Sequence, residues 1–363
     1  MSDAQAATSR RSALKFLGAG GGAVAASALL TACNGVQQTA SSGGAGGAFP
    51  STPAWRFVFI NHVTTNSFFV PTKNGLTDAA KLLGLPTPQW TGSTEGNVSE
   101  MANAFSTAVN GNADGIAIAL TDNNAFIEPT KRALAKGIPV IAYNATAPGN
   151  YPLTYVGQDL YQSGFLMGQR IAKDVTSGTI LVGISQPGGN NVQPRLNGIT
   201  DALKQAAPGV TVQSINTGAE QANELNAITA AYDGHPDAKG LYAVDAGSTA
   251  SIAQLLANRG LQGKVHAGGY DTLSDTLKGV QSGALDFTID QSAYLQGFLP
   301  VIYMYMFRLS GTLVAPPVTD TGLTFVTKDN VGPYVSADSK FEGGTKTDLV
   351  PMPASIPLPA ATS

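Results

Sequence analysis

From Arg56 onward the chain alternates short β-rich runs with helical stretches, and this rhythm restricts its fold more than any other feature. RFVFINHV is followed by NGLTDAAKLLG, PQWTG by NVSEMANAFSTAVN, and GIAIAL by EPTKRALAKG. PVIAYNA and LTYVGQD lead into YQSGFLMGQRIAKDV, and then come TILVGIS, TVQSINT, KGLYAVD, VHAGGYD and LDFTID. Nearly continuous apolar runs mark strands covered on both faces, as in parallel sheets. Strands that alternate with helices in this way predict an α/β architecture with right-handed crossovers. Some ten strands suit two doubly wound sheets better than one, and a break near Gly157-Gln158-Asp159 divides them about evenly.

The ends of the chain have a different character. Residues 1–32 begin with a short polar stretch, carry Arg10 and Arg11, and continue from Phe16 to Ala32 as a weakly apolar segment rich in Gly and Ala. That segment is too short and bland for a spanning helix, and basic, apolar and small regions in this order make an export signal. SRRSALKFL resembles a twin-arginine signal, although Ala13 stands where an aromatic or apolar residue is usual. Leu30-Thr31-Ala32-Cys33 resembles a lipobox, which implies acylation of Cys33, the single cysteine of the chain, and a membrane anchor. A cleaved signal with an incidental cysteine is the alternative. Residues 33–53 read as the acylated cysteine and a flexible tether, and residues 329–363 as a C-terminal tail ending in a proline-rich stretch.

Setting residues 1–32 aside removes Arg10, Arg11, Lys15 and Asp3, which leaves a net charge of about −5 and no reason to expect nucleic-acid binding. Hydrophobic residues at 43% are ample for two cores. With one cysteine and three histidines, His62, His235 and His266, no metal site or cofactor is expected.

In open α/β sheets ligands sit beyond the carboxyl ends of the strands. RFVFINHVTT is followed by Asn66, Phe68 and Phe69, and PVIAY by Asn144. KGLYAV ends in Asp245, VHAGGY in Asp271, and LDFTI in Asp290 and Gln291, while QPGGNNVQPR after TILVGIS carries Arg195. Carboxylates, amides, a guanidinium and aromatic rings on one edge suit a neutral polyhydroxylated ligand, whose hydroxyls both donate and accept. The CH faces of a sugar can lie on the rings. Each residue also has a structural reading, since Asp and Asn at strand ends serve as helix caps and turn formers. Phe68 and Phe69 could equally be core.

Together these stretches resemble the periplasmic sugar-binding proteins of the ribose and galactose type, which serve ABC importers. NSFFVPTKNGLTDAAKLLG, KGIPVIAYNA, YVGQDLYQSGFLMGQ, HPDAKGLYAVDAGSTASI, VHAGGYD and FTIDQ carry the likeness in order, from about residue 56 to 327. The resemblance implies a type I periplasmic binding fold, with two similar lobes joined by a three-segment hinge near Gln158, Gln291 and Thr321. It places one lobe at 54–158 plus 292–321 and the other at 159–291 plus 322–328. It implies ligand contacts at Asn66, Phe68, Phe69, Asn144, Arg195, Asp245, Asp271 and Gln291. Two departures bear on the ligand: Asn144-Ala145 stands where ribose binders have Asp-Arg, and Ala219 where a stacking Phe is expected. A linear polyol or another small carbohydrate then becomes a candidate, and Trp90 could replace the missing ring.

The implied function is a monomeric, exported solute-binding protein that closes on a monosaccharide or sugar alcohol and docks on a membrane permease. Three rivals remain at this stage. A carbohydrate-acting enzyme would use paired carboxylates, but no Ser/His/Asp or Cys/His constellation is evident. A transcription regulator would need a helix-turn-helix ahead of residue 56. A sensor for a receptor, or a binder of a furanosyl signal molecule, would share the same cleft chemistry.

Overall fold

The computed structural model describes residues 52–312 and 315–335. The export signal, Cys33, the tether up to Ser51 and the chain beyond Val335 lie outside the described residues. The first part of the chain runs β1 (Phe57–Asn61), α1 (Val70–Leu83), β2 (Gln89–Gly92), α2 (Val98–Asn110), β3 (Gly115–Ile118), α3 (Ile127–Ala135), β4 (Val140–Tyr143) and β5 (Thr154–Gly157). The second part runs α4 (Leu160–Ile171), β6 (Ser177–Ile184), α5 (Gln193–Ala206), β7 (Gly209–Asn216), α6 (Gln221–Gly234), β8 (Gly240–Ala243), α7 (Ala246–Asn258), β9 (His266–Tyr270), α8 (Ser274–Ser282) and β10 (Phe287–Asp290). After it come α9 (Ala293–Ser310), β11 (Val318–Asp320) and β12 (Thr324–Val326).

These strands form two six-stranded sheets, ordered β11-β5-β4-β3-β1-β2 and β12-β10-β9-β8-β6-β7. Every pairing in the first is parallel; in the second only β12 runs against its neighbour. All residues of β1, β3, β4, β5, β8 and β10 are buried, as helices on both sheet faces require. In β6 the two-residue period sends Ile180 and Val182 to one core and Leu181 to another on the opposite face. The edge strand β7 is covered less, and its residues are half-buried or exposed.

The molecule is therefore α/β with two doubly wound lobes. The chain passes from the first sheet to the second after Gly157, returns after Asp290, and passes over again after Asp320. On its return α9 buries Val301, Met304 and Tyr305 in the core of the first lobe. Two elements escaped the sequence reading. Strands β11 and β12 have three residues each, lie at sheet edges and carry little apolar periodicity. Past Lys328, Val331 and Tyr334 are buried in a core of the second lobe, so this stretch packs rather than trailing as tail. Helix α1 also starts earlier than its apolar pattern suggested, because Pro71 is well suited to a first helical turn. Among the described residues no helix is long and apolar enough to cross a membrane.

Candidate functional site

The carboxyl edges of the two sheets face one another across a cleft lined by residues of both lobes. Asn66, Phe68, Phe69 and Asn144 line it from the first lobe, Arg195, Asp245 and Asp271 from the second, and Gln291 from a crossing segment.

On the first-lobe wall, the chain leaving β1 makes a 3-10 turn over Ser67–Phe69, with the Asn66 side chain accepting the Phe68 N–H at 2.9 Å. That cap holds the two rings edge to face, 4.7 Å between centres; Phe69 is buried and Phe68 half-buried. Asn144 follows β4 with φ of 62°, a left-handed conformation that Asn tolerates better than most residues. Its side chain donates to Gln296 Oε1 at 3.1 Å.

The second-lobe wall depends on close packing between α4 and α5. A Cβ on Gly164 would overlap the Arg195 carbonyl, and one on Gly198 the Tyr161 carbonyl. With both glycines bare, the first turn of α5 brings Arg195 to the cleft. Arg195 is 3% exposed; its guanidinium donates to the Val244 carbonyl (3.0 Å) and Gln158 Oε1 (3.2 Å), and lies 4.0 Å from the Tyr270 ring centre. Its Nε is buried without a partner. Asp245 caps α7, accepting from the Ser248 N–H and hydroxyl and from the Ser185 N–H. Asp271, at φ 74°, accepts from Gln291 Nε2 at 2.7 Å. Burial pushes its carboxyl up to about 7, against the opposing pull of Arg195 and Gln291.

Glutamines join the walls through the crossing segments. Gln296, which accepts from Asn144, donates to the carbonyl and side-chain oxygen of Gln291. Gln291 in turn donates to Asp271, and Thr321 donates to its carbonyl. Gln158 accepts from Arg195 and donates to the Gly322 carbonyl. The lobes also touch across the mouth: Asn190 donates to the Thr121 carbonyl and to Asn123, and Gln186 to the Gly96 carbonyl.

Trp90 does not line the cleft. From β2, opposite Phe59, its ring packs against Phe59, Phe69 and Tyr143, and its N–H goes to the Thr64 carbonyl. The ring backs the phenylalanine wall, and the expectation that it replaces the missing ring is corrected. At the other position in question, Ala219 lines the cleft with no ring of its own.

Sequence reading passed over His62, Gln186, Asn191 and Glu224, which also line the cleft. His62 directly follows β1, in the same run that gave Asn66, and was findable there. It is buried, its Nε2 is 3.2 Å from Asn191 Nδ2 across the lobes, and desolvation lowers its pKa to about 4. Gln186 and Asn191 sit in the quoted QPGGNNVQPR loop. Glu224 lies in the first turn of α6, the helix that follows β7, the same kind of position that gave Arg195, and was findable there.

The one cluster of potential metal ligands among the described residues, Asp174, His266 and Asp286, lies outside the cleft. Arg170 holds Asp174, and His266 and Asp286 bond to each other, so these donors are already engaged.

Comparison with known proteins agrees with this architecture. The chain is 44% identical over 315 residues to the xylose/arabinose-binding protein XylF of Sulfolobus acidocaldarius, covering 82% of this chain and 77% of that one. It is 26% identical over 248 residues to the D-allose-binding periplasmic protein of Escherichia coli, covering 66% and 80% respectively. An ABC transporter solute-binding protein from Burkholderia graminis, solved in complex with D-arabinose, superposes with a TM-score of 0.72 at 26% identity, covering 79% of this chain and all of that one. Residues 57–309 match the periplasmic binding protein domain, and the chain belongs to that family.

Proposed function

We propose that this chain is the exported solute-binding component of an ABC importer and that it closes its lobes over a small carbohydrate, with a pentose the first candidate. The observation that carries this reading is the composition of the cleft. Two phenylalanines face a buried arginine and acidic side chains, with amides between them. Rings of this kind fit the CH face of a sugar, and the polar groups fit its hydroxyls. The relatives named for xylose, arabinose and allose support a monosaccharide over a larger solute.

On this reading Asn66, Phe68, Phe69, Asn144, Arg195, Asp245, Asp271 and Gln291 contact the ligand. The lobes are 54–158 plus 292–321 and 159–291 plus 322–328, with Val331 and Tyr334 packed on the second. Ligand bridges the two walls and stabilises the closed arrangement by its differential contacts. The protein works as a monomer that presents its closed lobes to a membrane permease. Cys33 carries the lipid that holds it at the membrane, and a Cys33→Ala chain is expected to lose incorporation of labelled palmitate.

Thermal unfolding from a start near Ser51, with and without pentoses, hexoses, polyols and inositols, tests the binding claim. A ligand at 100 times its dissociation constant adds about 2.7 kcal/mol and moves the midpoint by several degrees. A clear shift with one class supports the reading, and silence across all four overturns it.

A further inference from the structure

The cleft holds a fourth charged side chain of the second lobe, an acid from the connection that follows β7. Glu224, in the first turns of α6, is 1% exposed and lines the same cavity as Arg195, Asp245 and Asp271. Gly247 makes room for it, since a Cβ there would overlap Glu224 Oε2. That oxygen is buried and has no hydrogen-bond partner. Asp245, within hydrogen-bond reach of Glu224, already accepts from three donors, the Ser248 N–H and hydroxyl and the Ser185 N–H. A carboxylate has about four acceptor positions, so one remains.

We propose that Glu224 is a ligand-contacting residue of the cleft and a determinant of its specificity, accepting a ligand hydroxyl in a place where Asp245 is committed to its helix. The inference rests on the sugar-binding reading above. Two buried carboxyls in contact, neither ion-paired among the described residues, cannot both carry charge. One proton is held between them. Glu224 keeps it and donates to the last acceptor position of Asp245, which leaves the other Glu224 oxygen for the ligand. Burial and the neighbouring carboxylate raise the pKa of Glu224 far above the ordinary carboxylate range, in agreement. The ligand class this selects is neutral and hydroxyl-bearing at that end. A uronic or aldonic acid would bring a further negative charge to the pair.

Around Glu224 are Asp245 from the start of α7, Arg195 and Asp271 on the same wall and His62 across the cleft; Glu95 and Glu220 line the adjoining opening. His62 and Asp271 titrate near 4 and 7, so the window from pH 8 to 10 belongs to the acid pair.

The test is calorimetric titration of wild type, Glu224→Gln and Glu224→Leu with D-arabinose, D-xylose, D-allose and D-galacturonate from pH 6 to 10. Wild type is expected to bind one of the neutral sugars at pH 7, to reject the uronate, and to weaken at least tenfold between pH 8 and 10. Glu224→Leu should bind at least thirtyfold more weakly. Glu224→Gln, which keeps a neutral donor and acceptor, should lose about fivefold at pH 7 and then stay level to pH 10. Should the leucine variant fail to fold, the level profile of the glutamine variant decides. If wild type binds and both variants match it at every pH, Glu224 is structural and this inference falls alone. If wild type binds none of the sugars, the sugar-binding reading falls and takes this inference with it.

Discussion

The two walls of the cleft are built on different principles. The first-lobe wall is made of rings and amides, with one neutral histidine. Its Asn66 is used as a cap, its Asn144 is bonded to Gln296, and it leaves a single buried atom unpartnered, His62 Nδ1. The second-lobe wall concentrates an arginine and three acids, each less than a tenth exposed, and leaves Asn191 Oδ1, Arg195 Nε and Glu224 Oε2 without partners. Burying polar groups without satisfying them costs about 1–3 kcal/mol each, and more when charged. The first wall is therefore nearly complete as a folded surface, whereas the second carries a standing cost that a hydroxyl-rich ligand can relieve. It follows that mutations on the first wall should act mainly on stability and those on the second mainly on affinity.

The largest expected effect is at Arg195. Replacement by Lys removes the fork that reaches the Val244 carbonyl and Gln158 together while lying on Tyr270. Affinity for the sugar identified in the thermal screen should fall at least 100-fold by calorimetry. Arg195→Ala, by removing the donors to the Val244 carbonyl and Gln158, should also cost about 1–3 kcal/mol in urea unfolding. A lysine variant that binds within threefold of wild type would show that the second wall is not the polar half of the site. Next comes the phenylalanine pair, which separates the two roles within one wall. Phe69→Ala, at a position 2% exposed, should lose about 3–4 kcal/mol of stability. Phe68→Ala should lose only about 1 kcal/mol of stability yet about tenfold in affinity, as expected for a half-buried ring against a ligand. The reverse pattern would exchange the parts assigned to these two rings.

The contrast also explains what could be read in advance. Strand periodicity and the rule that ligands gather at carboxyl edges brought Asn66, Asn144, Arg195, Asp245, Asp271 and Gln291 to one cleft, because each follows a strand directly or opens the next helix. His62 obeys the same rule, as the residue directly after β1. Glu224 also opens the helix after a strand, but its fit in the cleft depends on the bare Cα of Gly247 in another helix, a contact that no spacing within the chain encodes. Trp90 failed for a related reason. Its place at the end of a strand was legible, but whether the ring faced ligand or core depended on Phe59, Phe69 and Tyr143 around it. Strands β11 and β12 are defined by the partners they pair with, not by their own three residues.

The walls should also respond oppositely to acid. Asp271 sits at about 7 when folded, against about 4 in an unfolded chain, so the folded protein holds a proton that the unfolded one releases. Its contribution to stability is complete below pH 4 and is lost as pH rises through 7, up to about 4 kcal/mol at 1.36 kcal/mol per unit. His62 sits at about 4 against an ordinary value of 6.5, so its contribution is complete above pH 6.5 and is lost as pH falls through 4, up to about 3 kcal/mol. Urea unfolding of the ligand-free protein from pH 4 to 8 separates them. Relative to wild type, His62→Gln should gain stability toward pH 4, and Asp271→Asn should gain it toward pH 8. Glu224 and Asp245, both raised, act in the same direction as Asp271, so each variant is compared with wild type and not with a level line. Superimposable profiles for the three proteins would remove the electrostatic half of the contrast.

The smallest effect is expected at Trp90, and it sharpens the boundary of the first wall. The indole N–H meets the Thr64 carbonyl at 3.2 Å, at the start of the loop that leads to Asn66, and the ring supports Phe69 from behind. Trp90→Phe keeps most of the packing and removes that one bond, which is worth about 1 kcal/mol. Stability should fall by that amount while affinity changes less than threefold, because Phe68 and Phe69 still form the surface a ligand would meet. An affinity loss above tenfold at unchanged stability would instead put the indole in the cleft. The ring expected from the sequence would then exist after all, and the first wall would extend one residue deeper than Phe69.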